Sequence, residues 1–215
     1  MFHYLSSGAQ KVLLVLLGLF SCSISFAQVT ISGAECVLTG MVYQYDIKGD
    51  WKENDKINIC VEGGVLVETN TTCVEKQTVS SIRLQWSAGR NTGKVTVSSQ
   101  AGTADLGVNI APGFKPGFIE TADKQILTVR KIPASLSCTQ ASGGNCSPSF
   151  SYQWEESLNK VHWKEIIGAT EPNLSFAAPL KQTTFFRRKV VESKSQTIGY
   201  TNEITVFVMP VTEKK

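Results

Sequence analysis

The sequence predicts an all-β chain built as two β-sandwiches in tandem. Three observations carry the prediction. Apolar residues alternate with polar ones over short runs, turn clusters separate those runs, and no comparable stretch shows helical periodicity. The clearest region runs from Tyr152 to Val206, with Tyr152-Gln153-Trp154, then Trp163, then Phe185-Phe186-Arg187-Arg188-Lys189-Val190, and finally Ile204-Thr205-Val206. A sandwich with a buried Trp facing an aromatic strand has this appearance. Such a fold selects no chemistry of its own, because function lies in sites carried on it.

The first 27 residues read as an export signal. Lys11 precedes an apolar run from Val12 to Phe20, and Ser25-Phe26-Ala27 offers a small-x-small cleavage site before Gln28. The run is shorter than the roughly 20 residues needed to span a bilayer. An alternative lies within the same segment. Leu19-Phe20-Ser21-Cys22 is similar to a bacterial lipobox, which would make Cys22 a lipidated amino terminus. No later segment is long and apolar enough to cross a membrane. Cleavage after Ala27 leaves 188 residues (215 less 27) and removes Lys11, so 20 basic residues face 18 acidic ones. A charge of +2 gives no electrostatic reason to expect nucleic acid or an anionic membrane as partner.

One composition shift divides the remainder. Ala111-Pro112-Gly113-Phe114-Lys115-Pro116-Gly117 carries two Pro-Gly steps and reads as a linker over 112–117. It separates a first unit over 28–111 from a second over 118–210, with a polar tail at 211–215. In the first unit Ile57, Ile59 and Val61 share one strand face. Ile82, Leu84 and Trp86 share another, and Val95 with Val97, then Leu106, Val108 and Ile110, continue the pattern. Cys60 is expected to face away from Ile59's side. In the second unit Phe150, Tyr152 and Trp154 form one face, and Leu174 with Phe176, then Ile204, Val206 and Val208, add core stripes. Trp163 reads as a second aromatic core anchor. One strand resists: burying Phe186 and Val190 also points Arg188 inward, which calls for a bulge or a snorkelling side chain.

Five cysteines remain after the signal, and an exported chain is expected to pair them. Cys138 and Cys146 flank a flexible-looking Ala141-Ser142-Gly143-Gly144-Asn145, and Cys60 and Cys73 flank Glu68-Thr69-Asn70-Thr71-Thr72. Those two pairings leave Cys36 as a free thiol, or as a disulfide partner for another chain, unless one pairing is wrong. Zinc lacks ligands, with no C-x-x-C and a single His after the signal.

The first unit resembles the PKD-like modules of bacterial secreted and surface proteins. The residues concerned are Ile31-Ser32-Gly33, Cys36, Tyr43-Gln44-Tyr45, Gly63-Gly64, Ile82 to Trp86 and Gly93-Lys94-Val95-Thr96-Val97. The second resembles the Ig-like repeats that often follow them, through Tyr152-Gln153-Trp154, Trp163, Ile167-Gly168-Ala169-Thr170, Thr183 to Val190 and Asn202 to Val206. The resemblance implies two tandem Ig-like β-sandwich domains. It also implies a second Cys near Ala101-Gly102 to pair with Cys36, and a Trp where Ile59 stands. Both are missing here, so that Cys60 and Cys73 read as a private replacement.

Catalytic patterns are wanting. His162 is the one His left after the signal. It is expected on a strand beside Trp163, on the face opposite the core, with no nucleophile motif around it. Glu155 and Glu156 are adjacent on a strand and point to opposite faces, so they cannot flank one glycosidic bond. The loop Asp46 to Asp55 is the one place where a ligand is argued. Asp46, Asp50 and Asp55 do not match EF-hand spacing, and no metal or cofactor is expected. Trp51, with Asp50 beside it, is the candidate binding position for a sugar ring or a protein interface, unless its ring caps the core. The sequence therefore points to a non-enzymatic exported protein. Its expected role is binding, adhesion or structural spacing at a bacterial cell envelope, with a protein or glycan as ligand. The alternative is a glycan-binding accessory module working with a separate hydrolase.

Overall fold

The computed structural model describes residues 28–120 and 124–209. The expected signal segment with Cys22, and the polar tail, lie outside the described residues. All regular structure among the described residues is β, in fifteen strands.

The first sandwich has two layers. One sheet orders β1 (Thr30–Gly33), β3 (Val42–Lys48), β7 (Ser81–Trp86) and β5 (Gly64–Leu66), all antiparallel. The other orders β2 (Cys36–Leu38), β9 (Gly102–Ala111), β8 (Thr92–Ser99), β4 (Ile57–Glu62) and β6 (Cys73–Lys76), with β2 parallel to β9. The period of two places Ile57, Ile59 and Val61 in the core with Ile82, Leu84, Trp86, Val95 and Val97. Leu106 sits only partly buried at the margin.

β4 does not end at the sheet edge. It turns through Gly63, whose φ of 84° a residue with a Cβ adopts only at a cost, and continues into the opposite sheet as β5. The chain then returns as β6, which sets Cys73 directly across from Cys60 on the outer face, and the two sulfurs are bonded. Tyr45 is buried inside, bonded to the β1–β2 connection and to its sheet neighbour Trp86. Its hydroxyl donates to Ala34 O at 2.8 Å and accepts from Trp86 Nε1 at 3.2 Å, and burial raises its pKa.

The second sandwich has one full sheet, ordered β10 (Lys124–Thr128), β15 (Ile204–Met209), β13 (Thr184–Glu192), β11 (Phe150–Ser157) and β12 (Lys164–Glu165). A further strand, β14 (Thr197–Tyr200), forms a hairpin with β13. Opposite this sheet, isolated bridges join Ile119 to Cys138 and Leu136 to Leu174. The core gathers Ile119, Leu136, Trp154, Leu174, Phe186, Ile204 and Val206.

Two expectations for this unit change. Trp163 is not a core anchor: only Trp154 is, fully buried with its Nε1 donating to Glu171 O at 3.1 Å. His162 lies in the exposed turn between β11 and β12, not on a strand. The turn is held by Asn159, whose Oδ1 accepts from the backbone N–H groups of Val161 and His162. A short polar side chain that caps local N–H groups competes with strand pairing, which is why the alternation breaks there.

The Pro/Gly segment at 112–117 is no free tether. Lys115 and Ser142 exchange backbone hydrogen bonds, Gly144 N donates to Pro112 O at 2.9 Å, and Phe114 stacks on Phe150 with centroids 6.0 Å apart. Since β9 runs to Ala111, the first sandwich's sheet ends one residue before the second sandwich's contacts begin.

Candidate functional site

Three places bring functional chemistry together, and the junction between the sandwiches is the most heavily built. Cys36 opens β2 opposite Asn109 of β9. From the other side, Cys146 arrives on the turn that follows Gly143 and Gly144, which have φ of 72° and 78°. The two sulfurs are bonded across 110 residues of sequence, with the Cα atoms 5.9 Å apart. This corrects the Cys138–Cys146 pairing and the unpaired Cys36. The reason is local. Thr139 and Ser142 are held in paired, extended backbone against Phe118 and Lys115, so the segment taken as a loose loop is strand-like. At about 3.3 Å per residue, extended chain carries Cys146 away from Cys138 instead of folding it back.

Cys138 stays as a thiol beside the second core, its backbone N–H donating to Asn173 Oδ1 at 2.9 Å. Burial pushes its pKa up to about 11, against a smaller downward pull from Arg188. It is therefore protonated and unreactive at neutral pH. The junction also holds a shallow recess of about 540 Å³ walled by Asn91, Asn109, Pro112, Asn145, Ser147 and Pro148.

Beneath the junction lies a buried cation. β13 pairs with β11 through eight consecutive positions, with no bulge, so Thr184, Phe186, Arg188, Val190 and Glu192 all point inward. Arg188 is 0% exposed and does not snorkel. Its Nη1 donates to Pro172 O at 2.6 Å, and its Nη2 to Thr139 O at 2.8 Å and Pro116 O at 3.1 Å. The guanidinium lies 4.4 Å from the Tyr152 ring centroid. Carbonyl dipoles and a π face thus replace the carboxylate partner that a buried charge usually has. One of those carbonyls belongs to the 112–117 segment, so Arg188 pins the junction to the second core. Four residues further along β13, Glu192 accepts from the N–H groups of Ser195 at 2.7 Å and Ser149 at 3.3 Å. These donors, Ser195 first, lower its pKa to about 2.

The outer face of the same sheet carries a second cation. Arg187 is sandwiched between Trp163 and Tyr200, 4.1 and 4.0 Å from their ring centroids, and paired with Glu155 at 2.7 Å. Each ring gives one face to the guanidinium, so neither presents a free pair of faces for stacking on a sugar. Beyond this stack, Ile126 of β10 lies in register with Phe207 of β15, and Thr128 with Met209. Ile126, Phe207 and Met209 are all exposed, beside the open edge of β10.

The loop favoured for ligand binding is more closed than expected. Trp51 is half-buried against the first core, its Nε1 donates to Val79 O at 3.2 Å, and its ring covers Gly49. It lines a recess of about 350 Å³ with Lys76, Thr78 and Ser81. Asp50 beside it is exposed. Asp55 is buried and occupied in accepting from Lys52 N at 2.8 Å, while Asp46 accepts from Gln44. Among the described residues no three His, Cys, Asp or Glu side chains converge as a metal site. His162 borders a recess of about 610 Å³ with Glu156, Lys164, Lys181 and Gln182. No helix among the described residues is long and apolar enough to cross a membrane.

Alternating strands in paired sheets, with a parallel pair at one sheet edge of each unit (β2 beside β9, β10 beside β15), define two Ig-like sandwiches. Residues 118–210 match the model of a family described as a domain of unknown function, DUF8696. No curated protein matches the sequence. Among solved structures, the chain is similar to the N-terminal four Ig domains of Dscam1 isoform 1.9, with 14% identity over 81% of this chain and 42% of that one, and a TM-score of 0.40. It is also similar to the C-terminal 282-residue fragment of intimin, solved with the intimin-binding domain of the translocated intimin receptor, with 17% identity, coverage of 83% and 64%, and a TM-score of 0.47. The tandem Ig repeats of Dlar align at 12% identity over 86% of this chain and all of that one, with a TM-score of 0.29. The chain thus spans about two fifths of the length of the Dscam1 fragment.

Proposed function

We propose that this chain is an exported, non-enzymatic protein that acts in binding, adhesion or spacing at a bacterial cell envelope. In this reading residues 1–27 are its signal, and its first sandwich is a PKD-like module over 28–111. A short junction at 112–117 then leads into an Ig-like module over 118–210. The observation that carries the reading is the Cys36–Cys146 bond. Disulfides persist in oxidising compartments, and this one joins two sandwiches whose cores are separate. A covalently fixed pair of sandwiches suits the holding of a surface at a set place and angle.

The ligand in this reading is a protein, met on the second sandwich where Ile126, Phe207 and Met209 are exposed. A glycan-binding accessory role, centred on Trp51 and Asp50, is the second reading. The exposed wall of the Trp51 recess favours it, and the hydrogen bond that ties the indole to Val79 weighs against it. The test combines fractionation with binding. Residues 28–215, purified from the cell envelope with both disulfides intact, should bind intact cells or a cell-surface protein in a solid-phase assay. Phe207→Asp should weaken that binding and Trp51→Ala should not. Recovery of the protein from the cytosol with reduced cysteines sinks the export reading. Retention on a glycan array, lost with Trp51→Ala, favours the accessory role instead.

A further inference from the structure

We propose that the Cys36–Cys146 bond is a mechanical bypass. Tension between the amino-terminal strand and the carboxy-terminal sheet passes through the two sulfurs and is not carried along the covalent chain of residues 37–145. The proposal deepens the spacing and adhesion reading and rests on it for its biological meaning.

Connectivity sets the path that tension takes. Chain entering from Gln28 forms β1, four residues paired with β3, and reaches Cys36 almost at once. The bond then carries the path directly to Cys146, which leads within four residues into β11 of the second sheet. Everything between these two cysteines is a closed covalent loop. It holds the whole first sandwich beyond β1, the junction segment, β10 and the Leu136 strand region. Hydrogen-bond ladders yield under load, whereas a covalent bond does not at the forces that unfold domains. Both sulfurs sit at the same place, against Asn109, so the load reaches the loop only through two hydrogen-bonded ladders, β1 with β3 and β15 with β10, and not along its covalent chain.

Where the load enters the second sandwich, the fold is braced. Ser149 N–H donates to Glu192, and Phe150 opens the eight-pair ladder between β11 and β13. That ladder is loaded in shear along its length, with Arg188 holding its inner side. The first sandwich is in this way kept folded while the second takes the strain. A spacer that must present the first sandwich intact under pull gains from this order.

The test is single-molecule stretching of residues 28–215, tethered at both ends in non-oxidising, non-reducing buffer after mass mapping has verified both bonds. Opening the bypass by Cys36→Ser with Cys146→Ser frees 110 residues less the 13 still closed by Cys60–Cys73. At a full extension of about 3.3–3.6 Å per residue, the contour gain should rise by roughly 320–350 Å over the wild type. If the double variant does not fold, a dithiol reductant added to folded wild-type tethers gives an equivalent gain plus that of the 13-residue loop. A bonded wild type whose first sandwich nonetheless opens under load, so that protease added during the pull cuts within residues 37–111, overturns the proposal. So does an unchanged gain once the bond is opened. Either result bears on the bypass alone, because the location and binding assays above stand or fall without it.

Discussion

Removing the guanidinium of Arg188 is the most informative single perturbation of the second sandwich. Arg188→Met keeps an apolar stem but deletes three hydrogen bonds, to Pro172 O, Thr139 O and Pro116 O. Bonds to charged groups contribute about 1.5–3 kcal/mol each, so the gross loss is about 4.5–9 kcal/mol. The fully buried cation also costs several kcal/mol in desolvation, and that cost vanishes with the substitution. The net destabilisation is therefore about 2–4 kcal/mol, from three stranded carbonyls less the relief of burying a charge. For a unit of this size 1 kcal/mol moves Tm by about 4–8 °C, so the second transition should fall by roughly 10–30 °C. Calorimetry of the full disulfide-bonded chain resolves it, since the first sandwich has a separate core and supplies an internal reference. Arg188→Lys should recover little, because an ammonium on a straight stem cannot fork between three separate carbonyls. A Met variant within about 0.5 kcal/mol of wild type would refute the reasoning, showing the bonds and the desolvation cost to cancel.

Further outcomes are expected of other groups. Glu192 has its folded pKa lowered to about 2 from an ordinary 4.5, so its contribution is present above about pH 4.5 and is lost as pH falls towards 2. The Tm of the second transition should drop over that window, and Glu192→Gln should flatten the drop while lowering stability at neutral pH. Arg187 between Trp163 and Tyr200 should show coupling of about 0.5–2 kcal/mol to Trp163 in a double-mutant cycle with alanine, measured by urea denaturation. Peptide mapping without reduction should recover Cys36 linked to Cys146, and iodoacetamide at pH 8 should leave Cys138 unmodified until the protein is unfolded. A Cys138–Cys146 peptide, or rapid alkylation of the native protein, would contradict the cysteine assignment.

The period-two patterns made most of the fold legible. Ile57, Ile59, Val61, Ile82, Leu84, Trp86, Val95 and Val97 all lie in the first core, on the faces their alternation assigned. Alternation also pointed Arg188 inward, and that inference was sound. What the sequence lacked was any sign of the acceptors, because backbone carbonyls from positions 116, 139 and 172 carry no side-chain signature. Trp163 misled for a related reason. Large aromatics are mostly buried, but a neighbouring strand's Arg187 offers a covering surface outside the core, and only the register of β13 against its partners discloses it. Trp51 was readable in both its roles, and the deciding contact to Val79 is 28 residues away in sequence.

The cysteines show where local reading ends. Cys60 and Cys73 sit on adjacent strands joined through one turn, so proximity in sequence and in space coincide. Cys138 and Cys146 are close in sequence, yet paired backbone keeps the chain extended up to Ser142, and the turn at Gly143 and Gly144 then directs Cys146 towards the first sandwich. The partner of Cys146 comes from 110 residues away because the junction has almost no linker: β9 reaches Ala111 and Pro112 already belongs to the next sandwich's contacts. A junction that short fixes the turn after Gly143 against the β2–β9 edge, where Cys36 stands. Gly143 is part of the same logic, since at its φ of 72° a Cβ would collide with the Gly113 carbonyl. The bond, the glycine turn and the carbonyl held by Arg188 are thus successive consequences of one constraint, the direct abutment of two sandwiches. That abutment turns two separately patterned units into a single covalently closed body.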